Sequence, residues 1–374
     1  EPPSSPPRLL SRRLRLSPPA PAQGMGCGAS KGVGYPQKKT GKDSAAAAAA
    51  AAARAAAAER RKNLNPEDFV LAKKIGEVIV KDEGTILGEQ FNIEECKDCD
   101  IFLFDHIATA FIDLCAGCRI FVGPVHSSVF LRDCKSCDLV IACQQFRSRD
   151  CTDCRLALLC TTEPIIETSS NMQFACFDFA YFSLRQQLEL AGLKFWNNKW
   201  WQIHDFNKNA DRPNWGLLAQ EEASRLLRLE ACQDSISPEE LSMDRVVPVT
   251  LGSRPWPSQE SCVLMFLPNS EADVEAFLGL AVKEEGWSVC RTRSMVLSDD
   301  QLKSLFSWTK EPKLLSQCKG REVTGIEVCG RGIFQQVQGV VSAAPTHSRS
   351  TRIVPEQDVP TIGKAFFEVW KDEV

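Results

Sequence analysis

Four Cys-x-x-Cys pairs follow one another at nearly constant spacing between residues 96 and 154. The first cysteines of successive pairs lie 19, 19 and 17 residues apart. A short apolar run that favours β-strand follows each pair, and further short strands are predicted between the pairs. A period of about 19 residues with three short strands is typical of one turn of a parallel β-helix, whose coils must stack to bury their apolar side. We therefore predict a right-handed parallel β-helix.

Stacked coils place equivalent residues in ladders with about 4.8 Å between neighbours. Reduced cysteine is small and apolar, which suits such an internal ladder. Two alternatives remain, because four pairs could also hold two zinc ions or form disulfides. The regular pitch favours the ladder over zinc, and the lack of a visible signal peptide favours reduced thiols. The predicted ladder, with no metal site, consists of Cys96, Cys99, Cys115, Cys118, Cys134, Cys137, Cys151 and Cys154.

The charge of the chain is distributed unevenly. The whole chain carries a net charge of −4, which argues against a nucleic-acid-binding protein. Residues 1–64 carry 12 Lys and Arg against 3 Asp and Glu, so the rest of the chain is strongly acidic. No apolar run reaches the roughly 20 residues that a membrane-spanning helix needs.

The basic N-terminal segment contains an acylation motif, Met25-Gly26-Cys27-Gly28-Ala29-Ser30. This pattern predicts myristate on Gly26 and palmitate on Cys27, provided that Gly26 becomes the N-terminus. We therefore expect residues 1–24 to lie upstream of the mature protein. Two acyl chains and nearby basic residues would anchor the protein stably on anionic lipid. The alternative is a chance match inside a Gly-rich linker.

Composition shifts divide the chain into five parts. We predict a disordered basic tail over 1–64, the β-helix over 65–218 and a linker over 219–260. A smaller α+β ferredoxin-like domain follows over 261–342, because strands and helices alternate in the order β-α-β-α-β. Its predicted elements are a strand over 262–267, a helix over 272–285, a strand over 287–292, a helix over 299–308, a strand over 323–329 and a helix from 333. Residues 343–374 are assigned to a C-terminal tail.

Several phrases of the β-helix region resemble a known family. GEQFNIEEC, IFLFDHIAT, ACQQFRSRDC and EPIIETSSNMQF are similar to the β-helix domain of the tubulin-folding-cofactor-C and cyclase-associated-protein type. With NNKWWQIHDFN and NWGLL included, the chain resembles the XRP (X-linked retinitis pigmentosa) family from about residue 65 to 341. The family's second domain resembles nucleoside diphosphate kinase. Phosphotransferase activity is not expected, because Leu267-Pro268-Asn269 stands where the kinase has Lys-Pro-Asp.

The resemblance implies an enzyme activator. Such proteins are GTPase-activating proteins for an Arf-like small GTPase that controls the release of lipidated cargo for cilia. The family's arginine finger matches Arg147, and its supporting residues match Gln144 and Glu167. The chain would need no cofactor, since the partner binds GTP and Mg²⁺. The implied location is the cytoplasmic face of the plasma membrane, the cilium or the basal body.

The residues themselves are compatible with this assignment. Arg147 and Glu167 lie 20 residues apart, about one coil, so they could lie within reach on adjacent rungs. Gln145, Arg147 and Arg149 alternate with Phe146 and Ser148, as in a strand with one polar face.

Other features of the same region leave choices open. Gln144 shares the polar face with Arg147 only if the chain bends near residue 145. We expect Arg132 and Arg149 to make structural or rim contacts, and His204 to be a core or hydrogen-bonding residue. The alternative function is a non-catalytic tubulin-cofactor-like chaperone or trafficking scaffold, with tubulin as a further candidate partner.

Overall fold

The computed structural model describes residues 64–209, 211–233, 236–237, 239, 245–309, 311, 313–343 and 350–370. Pro66–Val374 form one compact unit, in which a parallel β-solenoid precedes a smaller antiparallel sheet. The predicted order of a parallel β-helix followed by an α+β domain is confirmed. Gly26 and Cys27 of the acylation motif, like most of the predicted basic tail, lie outside the described residues.

The solenoid has two long parallel ladders of strands. The first ladder, the open sheet, contains β1 (Val70–Ala72), β3 (Phe91–Glu94), β5 (Ala110–Asp113), the second halves of β6 (Arg119–Arg132) and β7 (Asp138–Arg149), β9 (Ile165–Glu167) and β11 (His204–Asp205). The second ladder, the covered sheet, contains β2 (Val78–Lys81), β4 (Asp100–Leu103), the first halves of β6 and β7, β8 (Arg155–Cys160), β10 (Met172–Cys176) and β12 (Trp215–Leu217).

The Cys-x-x-Cys motifs form the third side of each coil. The residue after each first cysteine makes a single parallel bridge to its equivalent in the next coil, as between Lys97 and Ala116. The next residue has a left-handed backbone, with φ between 52° and 64° in all four motifs. Gly, Asp and Asn tolerate this conformation best, which explains three of the four residues found there, all except Ser136. These corner residues are Asp98, Gly117, Ser136 and Asp153.

The two ladders differ in what covers their outer faces. In the open sheet, burial alternates along β3 and β5, as expected when one side faces the interior and the other faces solvent. In the covered sheet every residue of β4 is buried. The helix Leu184–Leu190 contributes to the cover, and its Gln187 side chain donates a hydrogen bond of 2.9 Å to the carbonyl of Phe104. The outer face of the open sheet is therefore accessible to solvent along β3 and β5, whereas β4 of the covered sheet is not.

The smaller sheet has the strand order β14-β15-β13-β16, with every neighbouring pair antiparallel. This is the order of a ferredoxin-like split β-α-β sheet. Its strands are β13 (Ser261–Phe266), β14 (Ser288–Val296), β15 (Glu322–Cys329) and β16 (Thr351–Ile353). Its helices include Glu271–Ala281, Asp299–Leu305, Lys313–Cys318 and Ile333–Ala343. The second of these begins with a capping box between Ser298 and Gln301, which satisfies the first free N–H groups of the helix.

The C-terminal segment differs from the sequence-based expectation. Residues 343–374, expected to be a tail, include β16, which pairs with β13, and the helix Val359–Lys364, which continues through the π-helical turn Ala365–Val369. Phe366 and Phe367 of that turn are buried against the sheet. A three-residue strand after a polar stretch carries no periodic pattern, so the sequence does not reveal it.

The tryptophan-rich stretch packs between the solenoid and the smaller sheet. Trp200 is fully buried, and its indole N–H donates to Thr250 Oγ1 at 2.9 Å. Trp196 donates to Ser294 Oγ of β14 at 3.1 Å. One continuous apolar cluster joins the covered sheet to the smaller sheet. In the described part of the chain, no helix has the length and hydropathy to cross a membrane.

Candidate functional site

The candidate site lies where β7 leaves the covered sheet and enters the open sheet. The register of β6 with β7 shifts between the pairs Val125–Cys143 and Ser128–Gln145, so β6 holds one extra residue there. Such a bulge bends the strands locally. At this point Gln144 is exposed and Gln145 is half-buried, although they are consecutive. The strict in-out alternation of β7 is therefore interrupted near residue 145, where Gln144 requires a bend in order to share a face with Arg147.

Arg147 stands on the outer face of the open sheet. It lies between Phe130 of β6 and Ile165 of β9 in the parallel register. Its side chain is exposed, while Phe146 and Ser148 on either side point into the solenoid and are buried. This agrees with the predicted alternation. Backbone hydrogen bonds on both sides hold the strand, so the position of the Arg147 Cα is fixed by the sheet.

Arg147 differs from its neighbouring arginines in its contacts. Arg132 donates to both carboxylate oxygens of Asp113, at 2.7 and 2.5 Å, and its guanidinium lies 5.3 Å from the centre of the Phe111 ring. Arg149 forms an ion pair with Asp150 at 3.2 Å. Among the described residues, Arg147 has neither a hydrogen bond nor an ion pair through its side chain. Its guanidinium is available to an external acceptor.

Glu167 is placed differently from what the 20-residue spacing suggests. In the register of β7 with β9, Glu167 faces Arg149, and Ile165 faces Arg147. Arg147 and Glu167 are thus diagonal neighbours on the same exposed face. Diagonal neighbours in a sheet lie about 7–8 Å apart, which long side chains can span. No ion pair joins the two within the described part of the chain.

Gln144 is anchored through its backbone. Its carbonyl accepts hydrogen bonds from the backbone N–H and the hydroxyl of Thr162, both at 3.0 Å, and from the hydroxyl of Thr161 at 3.2 Å. Its side chain remains exposed. Gln145 instead accepts a hydrogen bond of 3.0 Å from Ser128 Oγ. Of the two glutamines, Gln144 is the one whose amide is free to meet a partner.

An apolar surround frames Arg147. The rings of Phe111 and Phe130 stack with centres 5.0 Å apart on the outer face. On the other side of Arg147, the same row across the sheet continues through Ile165 to His204. Phe206 follows two residues after His204, on the Glu167 side, and is 63% exposed. Phe206 was not predicted as a site residue, because an aromatic residue in a Trp-rich stretch is expected in a core. An exposed aromatic on the same face as an unpaired arginine is typical of a protein-docking surface.

His204 is a correction to the sequence analysis. It was expected in the core or in a hydrogen bond, but it lies exposed on β11, beside Ile165 in the register. Its ring meets Phe206 edge-on, with centres 4.7 Å apart. The strand β11 has only two residues, so its alternation could not be recognised from sequence.

The predicted cysteine ladder lies directly behind this face. All eight ladder cysteines are buried and carry free thiols. Their Sγ atoms donate to backbone carbonyls, as from Cys134 to Ile112 at 3.4 Å. A hydrogen bond with the Cys118 thiol and burial raise the pKa of Cys115 to about 12, and burial raises the pKa of Cys96 to about 11. A raised pKa keeps the Cys96 and Cys115 thiols protonated at neutral pH, so these two are packing groups. The described residues contain no cluster of three or more metal-ligating side chains.

Comparison with known proteins agrees with this architecture. The family model described as "Tubulin binding cofactor C" matches residues 88–206. "Protein XRP2" of Homo sapiens is 32% identical over 335 residues, which cover 85% of this chain and 90% of that protein. "Tubulin-specific chaperone C" of Mus musculus is 35% identical over 133 residues, 35% of this chain and 39% of that protein.

A solved structure, "Tubulin Binding Cofactor C from Leishmania major", shows 24% identity and a TM-score of 0.28 over 39% of this chain and 90% of that one. The similarity to the human protein extends over both sheets of this chain and over nearly the whole length of the relative. The chain belongs to the XRP2 family, whose solenoid is a domain of the tubulin-binding-cofactor-C type.

Proposed function

We propose that this protein is a GTPase-activating protein for an Arf-like small GTPase and that Arg147 is the arginine finger it supplies in trans. The observation that carries the proposal is the difference between Arg147 and the two neighbouring arginines on the open sheet. Arg132 and Arg149 are held by carboxylates, while the Arg147 guanidinium is exposed and unpaired among the described residues. A rigid strand presents it, and apolar side chains around it can seal the contact against water.

To accelerate GTP hydrolysis, the activator must place one positive charge next to the transferred phosphoryl group. GTP hydrolysis spreads negative charge over the transferred phosphoryl group, and an arginine supplied by a partner protein can accelerate it by about 10³–10⁵-fold. Arginine suits this role because its guanidinium is planar, always charged and able to donate two parallel hydrogen bonds. The GTPase supplies Mg²⁺ and the residue that orients the attacking water. This protein therefore acts as an enzyme activator and carries no cofactor of its own.

Gln144 and Glu167 have supporting roles in this proposal. Gln144 lies three residues before Arg147 on β7, and both side chains are exposed; its amide would meet the partner next to the Arg147 guanidinium. Glu167 stands one strand away, within reach of the Arg147 guanidinium once a docked partner excludes water and orders both side chains. An ionised carboxylate there would restrict the guanidinium to the orientation that meets the phosphates.

The cellular setting of the proposal rests on the N-terminal motif. Myristate on Gly26 and palmitate on Cys27 would hold the protein on the cytoplasmic face of the plasma membrane, at the cilium or basal body. There it would act on the GTP-bound partner and so control when lipidated proteins are released during transport to cilia.

A second candidate function is a non-catalytic chaperone or scaffold that binds tubulin. The match of residues 88–206 to the cofactor-C family favours it, since a relative carries the name tubulin-specific chaperone C. In that case the open sheet would still dock a partner, but Arg147 would contribute binding energy and no rate acceleration.

The test is single-turnover GTP hydrolysis by an Arf-like GTPase with the full chain added. Wild type should accelerate hydrolysis, and Arg147→Ala should lose at least about two orders of magnitude of that acceleration while still binding. Arg149→Ala is the matched control, because it removes an equal charge from the same face two residues away. If the wild-type protein binds the GTP-bound GTPase without accelerating hydrolysis, the proposal is wrong and the protein is a non-catalytic scaffold.

A further inference from the structure

A small cavity lies on the side of the molecule where the covered sheet ends. Its volume is about 180 Å³, and its lining consists of Asp82, Glu83, Phe104, Tyr181, Phe182, Ser183 and Ile236. The lining thus combines two carboxylates with three aromatic rings and contains no basic side chain. Phe182 stands at the rim and is 57% exposed, whereas Phe104 and Tyr181 form a buried floor.

The aromatic floor is rigid. The rings of Phe104 and Tyr181 meet edge-on, with centres 5.3 Å apart, and Tyr181 donates a hydrogen bond of 2.5 Å to Gln187 Oε1. Phe121 and Phe179 pack behind them, with Tyr181 ring centres 5.5 and 5.8 Å away. The rings are therefore held in place before any ligand arrives.

The charged side chains at the cavity are acidic. Behind it, the buried Asp105 carboxylate accepts hydrogen bonds from the backbone N–H groups of Ile86 and Leu87, at 2.8 and 2.7 Å. Burial would raise the pKa of Asp105, but the hydrogen bonds from His106 and from these N–H groups outweigh it and hold the pKa below its usual value. Burial, and then the charges of Asp105 and Glu83, raise the pKa of Tyr181.

The Asp82 and Glu83 carboxylates at the mouth of the cavity differ in whether they are already hydrogen-bonded. Glu83 accepts a hydrogen bond from the Ser183 hydroxyl. The Asp82 carboxylate has no hydrogen bond or ion pair within the described residues, while its backbone carbonyl accepts from Thr85. A carboxylate and aromatic rings that line one cavity can together attract a cation lying over a ring face.

We propose that this cavity is a binding site for one cationic side chain, a lysine or an arginine, presented by a partner polypeptide. A volume of about 180 Å³ admits one long side chain and is smaller than the roughly 300–1,000 Å³ of cofactor and drug sites. The alkyl stem packs on Phe182 and Ile236, and the charge lies between the rings and Asp82. The site is separate from Arg147, and it does not depend on the proposed GTPase-activating function.

The chain offers a direct probe, because it contains two tyrosines, Tyr35 and Tyr181. Full chain labelled with 3-fluorotyrosine gives two ¹⁹F resonances, and Tyr35→Phe identifies the one from Tyr181. We would titrate it with N-acetyl-lysine methylamide, N-acetyl-arginine methylamide and the neutral N-acetyl-norleucine methylamide. At least one cationic compound should shift the Tyr181 resonance saturably and bind at least about 5-fold more tightly than the neutral one.

Matched variants complete the test. Asp82→Asn and Phe182→Ala change exposed side chains, so the fold should persist, and each should weaken cation binding at least about 5-fold. Asp98→Asn removes an equal charge from a distant corner and should leave the titration unchanged. The proposal is overturned if neither cationic compound shifts the Tyr181 resonance, if the neutral compound binds equally well, or if Asp82→Asn and Asp98→Asn behave alike.

Discussion

Glu167 faces Arg149 in the parallel register of β7 with β9 and is therefore a diagonal neighbour of Arg147. Since Arg149 is already paired with Asp150, Glu167 is left between two arginines without an ion pair to Arg147 among the described residues. Under the proposed function, Glu167 would have to reach across the sheet to support Arg147, and the interaction would become strong only when a docked partner removes water from the face.

Replacement of Glu167 by Gln should therefore have a moderate kinetic effect. The Arg147 guanidinium would keep its place on the sheet and lose only an orienting charge. We expect single-turnover GTP hydrolysis at saturating protein to slow by about 10-fold, well below the loss for Arg147→Ala. An effect as large as that of Arg147→Ala would mean that Glu167 touches the reacting groups itself.

Phe206 should contribute to docking and leave the chemistry unchanged. Its ring is 63% exposed, so Phe206→Ala should not destabilise the fold. We expect the Kd for the GTP-bound partner to rise about 10-fold or more, as for an aromatic hot spot, with little change in hydrolysis at saturation. Val282→Ala, which removes an exposed apolar side chain from the smaller domain, is the control and should leave this Kd unchanged. A fall in the saturated rate for Phe206→Ala would contradict this division of roles.

Replacing Arg132 should lower the stability of the fold, whereas replacing Arg147 should not. Arg132 holds Asp113 through two hydrogen bonds and covers the Phe111 ring, but both charges are partly exposed. Urea denaturation should therefore show that Arg132→Ala lowers the free energy of unfolding by about 1 kcal/mol. Arg147→Ala, which removes no contact of this kind, should leave it unchanged. The reverse order would show that Arg147 is a structural residue.

Two buried thiols with a raised pKa, Cys262 and Cys96, predict that the fold weakens in alkali. Burial raises the pKa of Cys262 to about 12 and that of Cys96 to about 11, from 9.0 for the free thiol. Between pH 9 and these values the unfolded chain has lost protons that the native state retains. Stability is therefore full below pH 9 and falls as pH rises, by up to about 1.4 kcal/mol per pH unit for each such thiol.

Urea denaturation in the presence of reductant at pH 8, 9 and 10 tests this dependence. Cys262→Ala should lower stability at pH 8, because it leaves a small cavity in the core, and should also make the decline with pH less steep. A wild-type stability that is constant from pH 8 to 10 would contradict the assignment of these thiols as buried and protonated.

The solenoid could be predicted because its signal is periodic. A repeat of cysteine pairs every 17–19 residues requires stacking, and the burial of all eight ladder cysteines follows from it. In the smaller domain, the strand predicted over 262–267 is found at Ser261–Phe266. It could be predicted because a short, continuous apolar run bounded by polar residues is typical of a buried strand where strands and helices alternate. The outward alternation around Arg147 was predictable for the same reason.

Other parts of the site depend on strand register and on packing, which no local sequence pattern reveals. The length of the coil from β7 to β9, which includes β8, sets the register offset at 18 residues, so the 20-residue spacing of Arg147 and Glu167 makes them diagonal. The exposure of Phe206 and His204 follows from a two-residue strand added to the end of the open sheet. Whether one sheet is left uncovered depends on the packing of the later domain against the other, which no local pattern encodes.

The most direct measurement is the binding of GDP-loaded Arf-like GTPase with aluminium fluoride, which mimics the transferred phosphoryl group. Wild-type protein should form a much tighter complex with the fluoride present than without it. Arg147→Ala should lose this gain and still bind the form loaded with a non-hydrolysable GTP analogue, whereas Arg149→Ala should behave as wild type. If Arg147→Ala keeps the fluoride-dependent complex, Arg147 does not contact the transferred group, and the central claim is wrong.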